Sequence, residues 1–395
     1  MFRNLTLGVR PGFKTSLQRH TPATLIRSNY RVYAATAREE GSPANWEDSM
    51  KTIVGISLSI ALLLCASVAL QSHSDVASAA DSITLQGTGA TFPAPLYQKW
   101  FSEYNKLHPE VQVNYQALGS GAGVKQFQQG LVNFGASDAA MTDDEIKEVK
   151  DGVVLLPMTA GSIVLSYNVP GAPAELKLSR EAYVGIFLGK IKSWDDPIIA
   201  KANGGAKLPA TKITVVTRSD GSGTTFVFTT HLSAISPEWK AGPGAGKSVN
   251  FPVGVAGKGN PGVTALIKQT PGAIGYVEYG YAFQTKMPMA VLENHDGKYV
   301  KADLASGQNA LATVELPENL RAWIPDPQGA DAYPIVTYTW LLCYRKYQDP
   351  KIAETVRSLV DYGLDQGQKD SEALGYIPLP ASVVDKVKKA ADQIS

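Results

Sequence analysis

Four junctions in this sequence bring together Gly, Ser and Thr with charged residues: Gly89-Ala90-Thr91-Phe92, Gly119-Ser120-Gly121, Ala136-Ser137-Asp138, and Arg218-Ser219-Asp220-Gly221-Ser222-Gly223-Thr224. Each lies where a β-like run gives way to a helix-like one. Loops at strand C-termini are where open α/β sheets bind ligands. The helix starts beside them expose free backbone N–H groups and a partial positive charge, so an anion is the expected guest. One such loop says little, because helix capping alone places Ser, Thr or Asp there. The convergence of four, with Arg218 in one and Asp138 ending another, turns the balance toward binding.

Arginine suits an oxyanion because its planar fork donates two parallel hydrogen bonds. A salt bridge between Arg218 and Asp220 is the plain alternative, and such a bridge would also orient the guanidinium. An aspartate beside an anion is paradoxical unless the anion carries a proton, since an ionised carboxylate can only accept a hydrogen bond. Protonated phosphate would satisfy Asp138, whereas sulfate would present a second acceptor. A mismatch of that kind gives discrimination on the order of 10⁴-fold or more.

Hydrolysis on the same loops is poorly supported. Beyond residue 80 the histidines are His108, His231 and His295, scattered without metal-ligand spacing, and neither H-E-x-x-H nor G-x-S-x-G occurs. Ser222 has no identifiable base. The expectation is therefore a binding protein and no enzyme, with no catalytic residue, metal or cofactor. Residues 242–248, Gly-Pro-Gly-Ala-Gly-Lys-Ser, imitate a nucleotide loop. The imitation is a decoy: Glu238-Trp239-Lys240 precedes it and a β-like run, Val249 to Val253, follows, where a strand and then a helix are needed.

The elements that must position these loops alternate strand and helix, the signature of an α/β protein with parallel sheets. Strands are expected at 82–86, 111–118, 133–136, 212–217 and 273–281, and helices at 94–107, 124–131, 179–188, 224–233, 260–269 and 350–363. Thr142 followed by three acids reads as a helix start. Two long β-rich runs, 153–169 and 333–344, have the character of crossovers between lobes.

The chain has 395 residues, with 37 Lys+Arg against 36 Asp+Glu, which offers no basic surface for nucleic acid. That balance hides an asymmetry. Residues 1–38 hold seven basic residues, no acid and much Ser and Thr, a transit-peptide composition, and the transit-like leader is drawn at 1–50. A Sec-type signal follows at 51–79: Lys51, the uncharged run Thr52 to Leu70, then Ala77-Ser78-Ala79 as cleavage site. A membrane anchor is the alternative reading of the apolar run, diluted by Ser57, Ser59 and Ser67. Lipid attachment at Cys65 is disfavoured because Cys65 lies inside that run after Leu64. Two-stage targeting, with a plastid protein sent on to the thylakoid lumen, is the expectation; a mitochondrial presequence or a start at Met50 is the alternative. Without residues 1–80 the balance is 29 basic against 31 acidic, net −2, and Cys343 alone remains.

The loops and their surroundings resemble the phosphate-binding proteins of bacterial high-affinity phosphate ABC uptake systems, the PstS family. The residues that carry the resemblance are Gly87-Thr88-Gly89-Ala90-Thr91-Phe92-Pro93-Ala94-Pro95 with Trp100, Asn114-Tyr115-Gln116 through Gly119-Ser120, Phe134 to Asp138, Phe187-Leu188-Gly189-Lys190-Ile191 with Trp194-Asp195-Asp196, Arg218 to Thr224, and Pro271 to Tyr279. It implies a two-lobed periplasmic binding protein fold (type II), with a ligand cleft between lobes joined by crossover strands. Lobe I is drawn as 80–158 plus 332–395 and lobe II as 159–331. The resemblance implies that Thr91 and Phe92, Ser120, and Ser222, Gly223 and Thr224 donate to inorganic phosphate together with Arg218. Asp138 accepts the phosphate proton, and Asp220 pairs with the arginine. The implied partners are phosphate and an ABC-type permease, with a lumenal protein complex, in a sensing or assembly role, as the alternative. The mature chain is expected to be a monomer that does not span the membrane. The leader departs from the bacterial pattern, where the location would be periplasmic or secreted.

Overall fold

A computed structural model describes residues 82–173 and 175–395. The leader 1–50, the signal segment 51–79, its cleavage site and Cys65 lie outside the described residues.

The chain begins with alternating strand and helix: β1 (Ile83–Gly89), α1 (Ala94–Leu107), β2 (Val111–Gln116), α2 (Ser120–Gln128), β3 (Phe134–Ser137), α3 (Asp143–Lys147) and the long β4 (Val153–Asn168). The middle comprises β5 (Lys177–Leu178), α4 (Arg180–Phe187), α5 (Pro197–Ala202), β6 (Thr214–Arg218), α6 (Gly223–Ile235), α7 (Pro237–Ala241), β7 (Val255–Gly257), α8 (Gly259–Gln269), β8 (Ala273–Glu278), α9 (Tyr279–Gln284), β9 (Val291–Glu293), β10 (Tyr299–Val300) and α10 (Leu304–Leu311). β11 (Val336–Tyr344), α11 (Pro350–Leu364), α12 (Ser371–Leu374) and α13 (Ala381–Ala391) follow.

Eight strands form one sheet in the order β2-β1-β3-β11-β4-β8-β6-β7. β1 runs parallel to β2 and β3, and β6 runs parallel to β7 and β8. The parallel pairing expected from the alternation holds within each set and not across the two long runs: β11 is antiparallel to β3 and β4, and β4 is antiparallel to β8. The reason lies in the two long apolar runs. β4 is buried at every position except Asn168, so both of its faces are covered and no alternation marks its direction. Its first half pairs with β11 and its second half with β8, so the strand passes from one parallel set to the other.

Three local differences bear on the site. α2 starts at Ser120, four residues before the expected start, because Gly121 and Gly123 pack against backbone rather than forming a loop: a Cβ on Gly123 would meet Ala136 O at 2.5 Å. β8 stops at Glu278, whose side chain accepts from Gly280 N and starts α9, so Tyr279 to Tyr281 are helical rather than extended. The β-like run at 249–253 is irregular, and the strand there is β7 at Val255–Gly257. The small sheet β10-β9-β5 was not foreseen, since strands of two or three residues are too short to show a period.

Among the described residues no helix is long and apolar enough to cross a membrane.

Candidate functional site

β6 delivers Arg218 as its last residue, and α6 begins five residues later. Beneath this turn an aromatic platform forms, with Tyr276 stacked on Phe228 at 4.6 Å and Phe251 at 5.9 Å. The Tyr276 hydroxyl accepts from Arg218 N at 3.2 Å and lies 2.7 Å from Thr225 Oγ1, so one phenol ties the strand end to the helix start. The Arg218 side chain is almost fully buried and meets Asp220 through two parallel bonds, Nε to Oδ1 at 2.9 Å and Nη2 to Oδ2 at 2.5 Å. Its remaining fork atom, Nη1, donates to Thr224 Oγ1 at 3.2 Å. Asp220 Oδ1 accepts a further bond from Gly259 N. Burial works to raise the Asp220 pKa, but the hydrogen bonds and charge of Arg218 outweigh it, and the group stays below the usual carboxylate range.

At the start of α6, Ser222 is the N-cap and its Oγ accepts from Thr225 N at 3.0 Å. The Ser222 N–H is already given to Lys247 O, so only its hydroxyl hydrogen is left to donate. The N–H groups of Gly223 and Thr224 belong to the first turn, where helices leave donors without an intrahelical partner. Gly223 lies against the third loop so closely that a Cβ would come within 2.6 Å of Asp138 Oδ2.

Asp138 is buried at the end of β3. Its Oδ1 accepts from Thr339 Oγ1 at 2.9 Å, and Oδ2 lies 3.4 Å from Ser120 Oγ. Ser120 Oγ in turn accepts from Asp138 N at 3.2 Å. Burial pushes the Asp138 carboxyl up to about 7, against the pull of Thr339, Arg218 and Ser120. A carboxyl so poised trades a proton near neutrality, which suits a partner that carries one.

The first loop is held by three tyrosines. Tyr115 donates to Ala90 O at 2.7 Å, Tyr281 to Thr91 O at 2.6 Å and Tyr376 to Phe92 O at 2.8 Å. In a trans peptide the N–H of the next residue points opposite to the carbonyl. Fixing the carbonyls of Ala90 and Thr91 therefore aims the N–H groups of Thr91 and Phe92 away from the tyrosines. Phe92 itself is fully buried, its ring 6.2 Å from that of Tyr376.

The structure thus brings together all the loops singled out in the sequence: Ser120, Asp138 and Gly223 are in direct contact, and Arg218 reaches Thr224 and Asp220. Thr91 joins them through Asn260, which donates to Thr91 Oγ1 and Thr224 Oγ1. Asn260, Thr339, Tyr276 and the three tyrosines escaped sequence reasoning. A signal existed for Thr339, a hydroxyl inside an otherwise apolar buried run. Tyr115 and Tyr276 lie in segments that carry the resemblance but were given no role, and nothing marked Tyr281 and Tyr376, which are remote in sequence from the loop they fasten. Residues 242–248 follow the short helix α7 and lead into irregular chain, so the strand and helix of a nucleotide loop do not flank them. His231, fully buried, bonds Tyr183 and Pro325 O, and burial drops it to about 4. Among the described residues no group of three or more His, Cys, Asp or Glu is placed to hold a metal ion.

A family model described as a PBP superfamily domain matches residues 74–366. The phosphate-binding protein PstS of Methanocaldococcus jannaschii is 42% identical over 327 residues, spanning 76% of this chain and 84% of that protein. The phosphate-binding protein PstS of Pasteurella multocida is 40% identical over 308 residues, spanning 77% of this chain and 89% of that protein. In fold, the chain is similar to the phosphate-binding protein from Stenotrophomonas maltophilia, with a TM-score of 0.63 at 22% identity, covering 78% of this chain and 93% of that one. The architecture is the two-lobed periplasmic binding protein fold, with β4 passing from one parallel set of strands to the other. Matches of this extent, together with the converging loops, establish that the chain belongs to the PstS family within the PBP superfamily.

Proposed function

We propose that the protein binds one hydrogenphosphate ion between two lobes, 80–158 plus 332–395 and 159–331, and serves as the solute-binding component of a phosphate ABC transporter. The observation that carries this reading is the buried Asp138 carboxyl set against the free N–H groups at the start of α6, beside the Arg218 fork. Donors alone would suit any oxyanion; a carboxyl among them selects one that carries a proton. The names of the relatives support the same ligand. In this reading Thr91, Phe92, Ser120, Arg218, Ser222, Gly223 and Thr224 donate, Asp138 accepts the phosphate proton, and Asp220 holds Arg218 in place.

Micromolar affinity corresponds to about 8 kcal/mol. Charge-assisted hydrogen bonds at about 1.5–3 kcal/mol each supply that after the cost of closure is met. Isothermal calorimetry of the purified protein with phosphate and with sulfate tests the reading: one phosphate per chain and far weaker sulfate binding are expected. Absence of phosphate binding overturns it.

The protein acts without catalysis in this reading. Ser222 Oγ is engaged as a helix cap with no histidine beside it, and His231 is sealed elsewhere. Location follows the role: the compartment is one outside the membrane that carries the permease, periplasmic or secreted as for the family, or the thylakoid lumen if the leader 1–50 is read as a transit peptide. Cell fractionation with an antibody to the mature chain decides between them.

A further inference from the structure

Glu278 is fully buried at the place where the long strand β4 changes partners. β4 pairs with β11 from Val153 to Ser162 and with β8 from Ile163 to Asn168, and the β8 residue opposite Ile163 is Glu278. Its carboxyl therefore stands where β4 leaves one parallel set of strands for the other. Oε1 accepts from Gly280 N at 2.7 Å. Oε2 is buried and has no hydrogen-bond partner.

The groups around the orphan oxygen are acceptors. Tyr376 faces the carboxyl but gives its hydroxyl hydrogen to Phe92 O at 2.8 Å, so only its lone pairs are left. Leu374 O flanks the same glycine as Oε2: a Cβ on Gly280 would lie 2.6 Å from the one and 3.0 Å from the other. The other titratable groups that face Glu278 are Asp138 at the end of β3 and Tyr279 and Tyr281 of α9. Among the described residues no lysine, arginine or histidine pairs with it. A carboxylate can only accept, so ionisation would leave Oε2 bare in the core. A protonated carboxyl has a hydrogen to give to these acceptors. Burial accordingly holds the Glu278 carboxyl well above the usual carboxylate range, against the pull of the Gly280 and Tyr281 N–H groups and with Asp138 adding to the push.

The walls around this carboxyl come from both sides of the proposed cleft. Phe92, Leu374 and Tyr376 belong to lobe I as drawn, and Glu278 with α9 to lobe II. Parting the lobes about β4 draws the first three away and admits water, and a hydrated carboxyl ionises at its ordinary value. We propose that Glu278 is a second proton site, filled when the lobes close on phosphate and emptied when they part, so that each phosphate captured is accompanied by one proton bound beside β4 rather than on the ligand. This goes beyond the phosphate reading and rests on it and on the lobe boundaries. The proton comes from solvent on closing and returns to solvent on opening. Because the closed form binds the extra proton, affinity must fall as pH rises above the ordinary carboxylate range, by up to about tenfold per pH unit while the closed form keeps its proton. Closure on any other oxyanion carries the same term, so selectivity between anions stays with Asp138.

The test is calorimetry of the whole protein with inorganic phosphate at about pH 8, where exposed carboxyls are ionised, in buffers of different ionisation enthalpy. The unmodified protein is compared with E278Q, whose amide cannot titrate. Both are expected to bind phosphate, with proton uptake per phosphate lower by about one in E278Q and its affinity flatter with pH by about tenfold per unit. Equal uptake in the two overturns the proposal. Infrared difference spectra of the unmodified protein labelled with ¹³C-glutamate give the second arm. A neutral-carboxyl band carrying the isotope shift is expected to appear when phosphate is added. A band already present without phosphate, or absent with it, also overturns the proposal, and this arm stands even if E278Q does not fold. Failure of the unmodified protein to bind phosphate sinks the phosphate reading itself, whereas binding without the proton difference sinks the role of Glu278 alone.

Discussion

Asp138 and Gly223 touch with no space for a side chain between them: a Cβ at position 223 would lie 2.6 Å from Asp138 Oδ2 and 2.5 Å from Ser120 Oγ. Gly223 opens α6, so its lack of a side chain brings the positive end of a helix onto a buried carboxyl and a hydroxyl of another element. Gly223→Ala forces these groups apart, at about 1–3 kcal/mol for overpacking. Phosphate affinity should fall about tenfold or more by calorimetry, and unchanged affinity would show that the close approach does not matter.

The Asp138 carboxyl, raised by burial to about 7, gives the selectivity a pH dependence. Below that value the group carries a proton and can donate to sulfate; above it the carboxylate can only accept, and sulfate meets an unpaired acceptor. The ratio of phosphate to sulfate affinity should therefore rise at least about tenfold across the neutral range, a shift of about 1.4 kcal/mol. In Asp138→Asn the amide donates at every pH, so the ratio should be low and flat. A flat ratio in the unmodified protein would remove the carboxyl from its assigned role.

Arg218 and Asp220 predict two losses of unequal size. Arg218→Ala deletes the fork and leaves Asp220 as a largely buried carboxylate with the Gly259 N–H and its own backbone N–H in place of the guanidinium. The ligand loses charge-assisted bonds worth about 1.5–3 kcal/mol each, so phosphate binding should drop about tenfold to a hundredfold or more. Asp220→Asn keeps the guanidinium but loosens its aim, and a smaller loss is expected. Equal losses would mean that Arg218 works only as a member of the pair.

Much of the candidate site was legible in the sequence because such loops are local: Thr91, Ser120, Asp138 and the run from Arg218 to Thr224 each show helix-start chemistry in adjacent residues. The supports were hidden because they are distant. Tyr115, Tyr281 and Tyr376 fasten three successive carbonyls of one loop from three different parts of the chain. Nothing local distinguishes a tyrosine that bonds a carbonyl from one that fills a core. The sheet was half legible for a related reason. Runs such as β4, buried on both faces, show apolar length but no direction, so the antiparallel crossovers read as strands without a partner. Gly119 to Gly123 read as a loop because the small residues that let α2 pack against backbone are also those of turns.

The three carbonyl-bound tyrosines make Tyr281 a probe of the first loop. Its hydroxyl holds Thr91 O at 2.6 Å, and through that peptide plane it aims the Phe92 N–H. Tyr281→Phe removes one hydrogen bond, worth about 1 kcal/mol, and leaves the ring in place. Phosphate should bind several-fold more weakly with little change in melting temperature of the ligand-free protein. A stability loss with unaltered affinity would make Tyr281 a packing residue alone.

The decoy segment 242–248 has a physical task that nucleotide binding did not supply. Lys247 O holds the Ser222 N–H, and the Lys247 ammonium pairs with Glu145, an acid of α3, which the proposed lobe boundaries put on the other side of the cleft. Both side chains remain partly exposed, at 20% and 27%, so the pair is worth about 0.2–1 kcal/mol and is screened by salt. In the proposed two-lobe reading the pair joins elements on opposite sides of the ligand, so that energy belongs to the closed form and should slow release. Lys247→Ala is expected to speed phosphate dissociation about two- to fivefold in stopped-flow measurements, with little effect on association. The double exchange K247E/E145K restores the pair with reversed sense and should recover most of the slow release. Raising the salt concentration should narrow the gap between the unmodified protein and Lys247→Ala. Equal release rates at low salt would assign the contact to the surface alone.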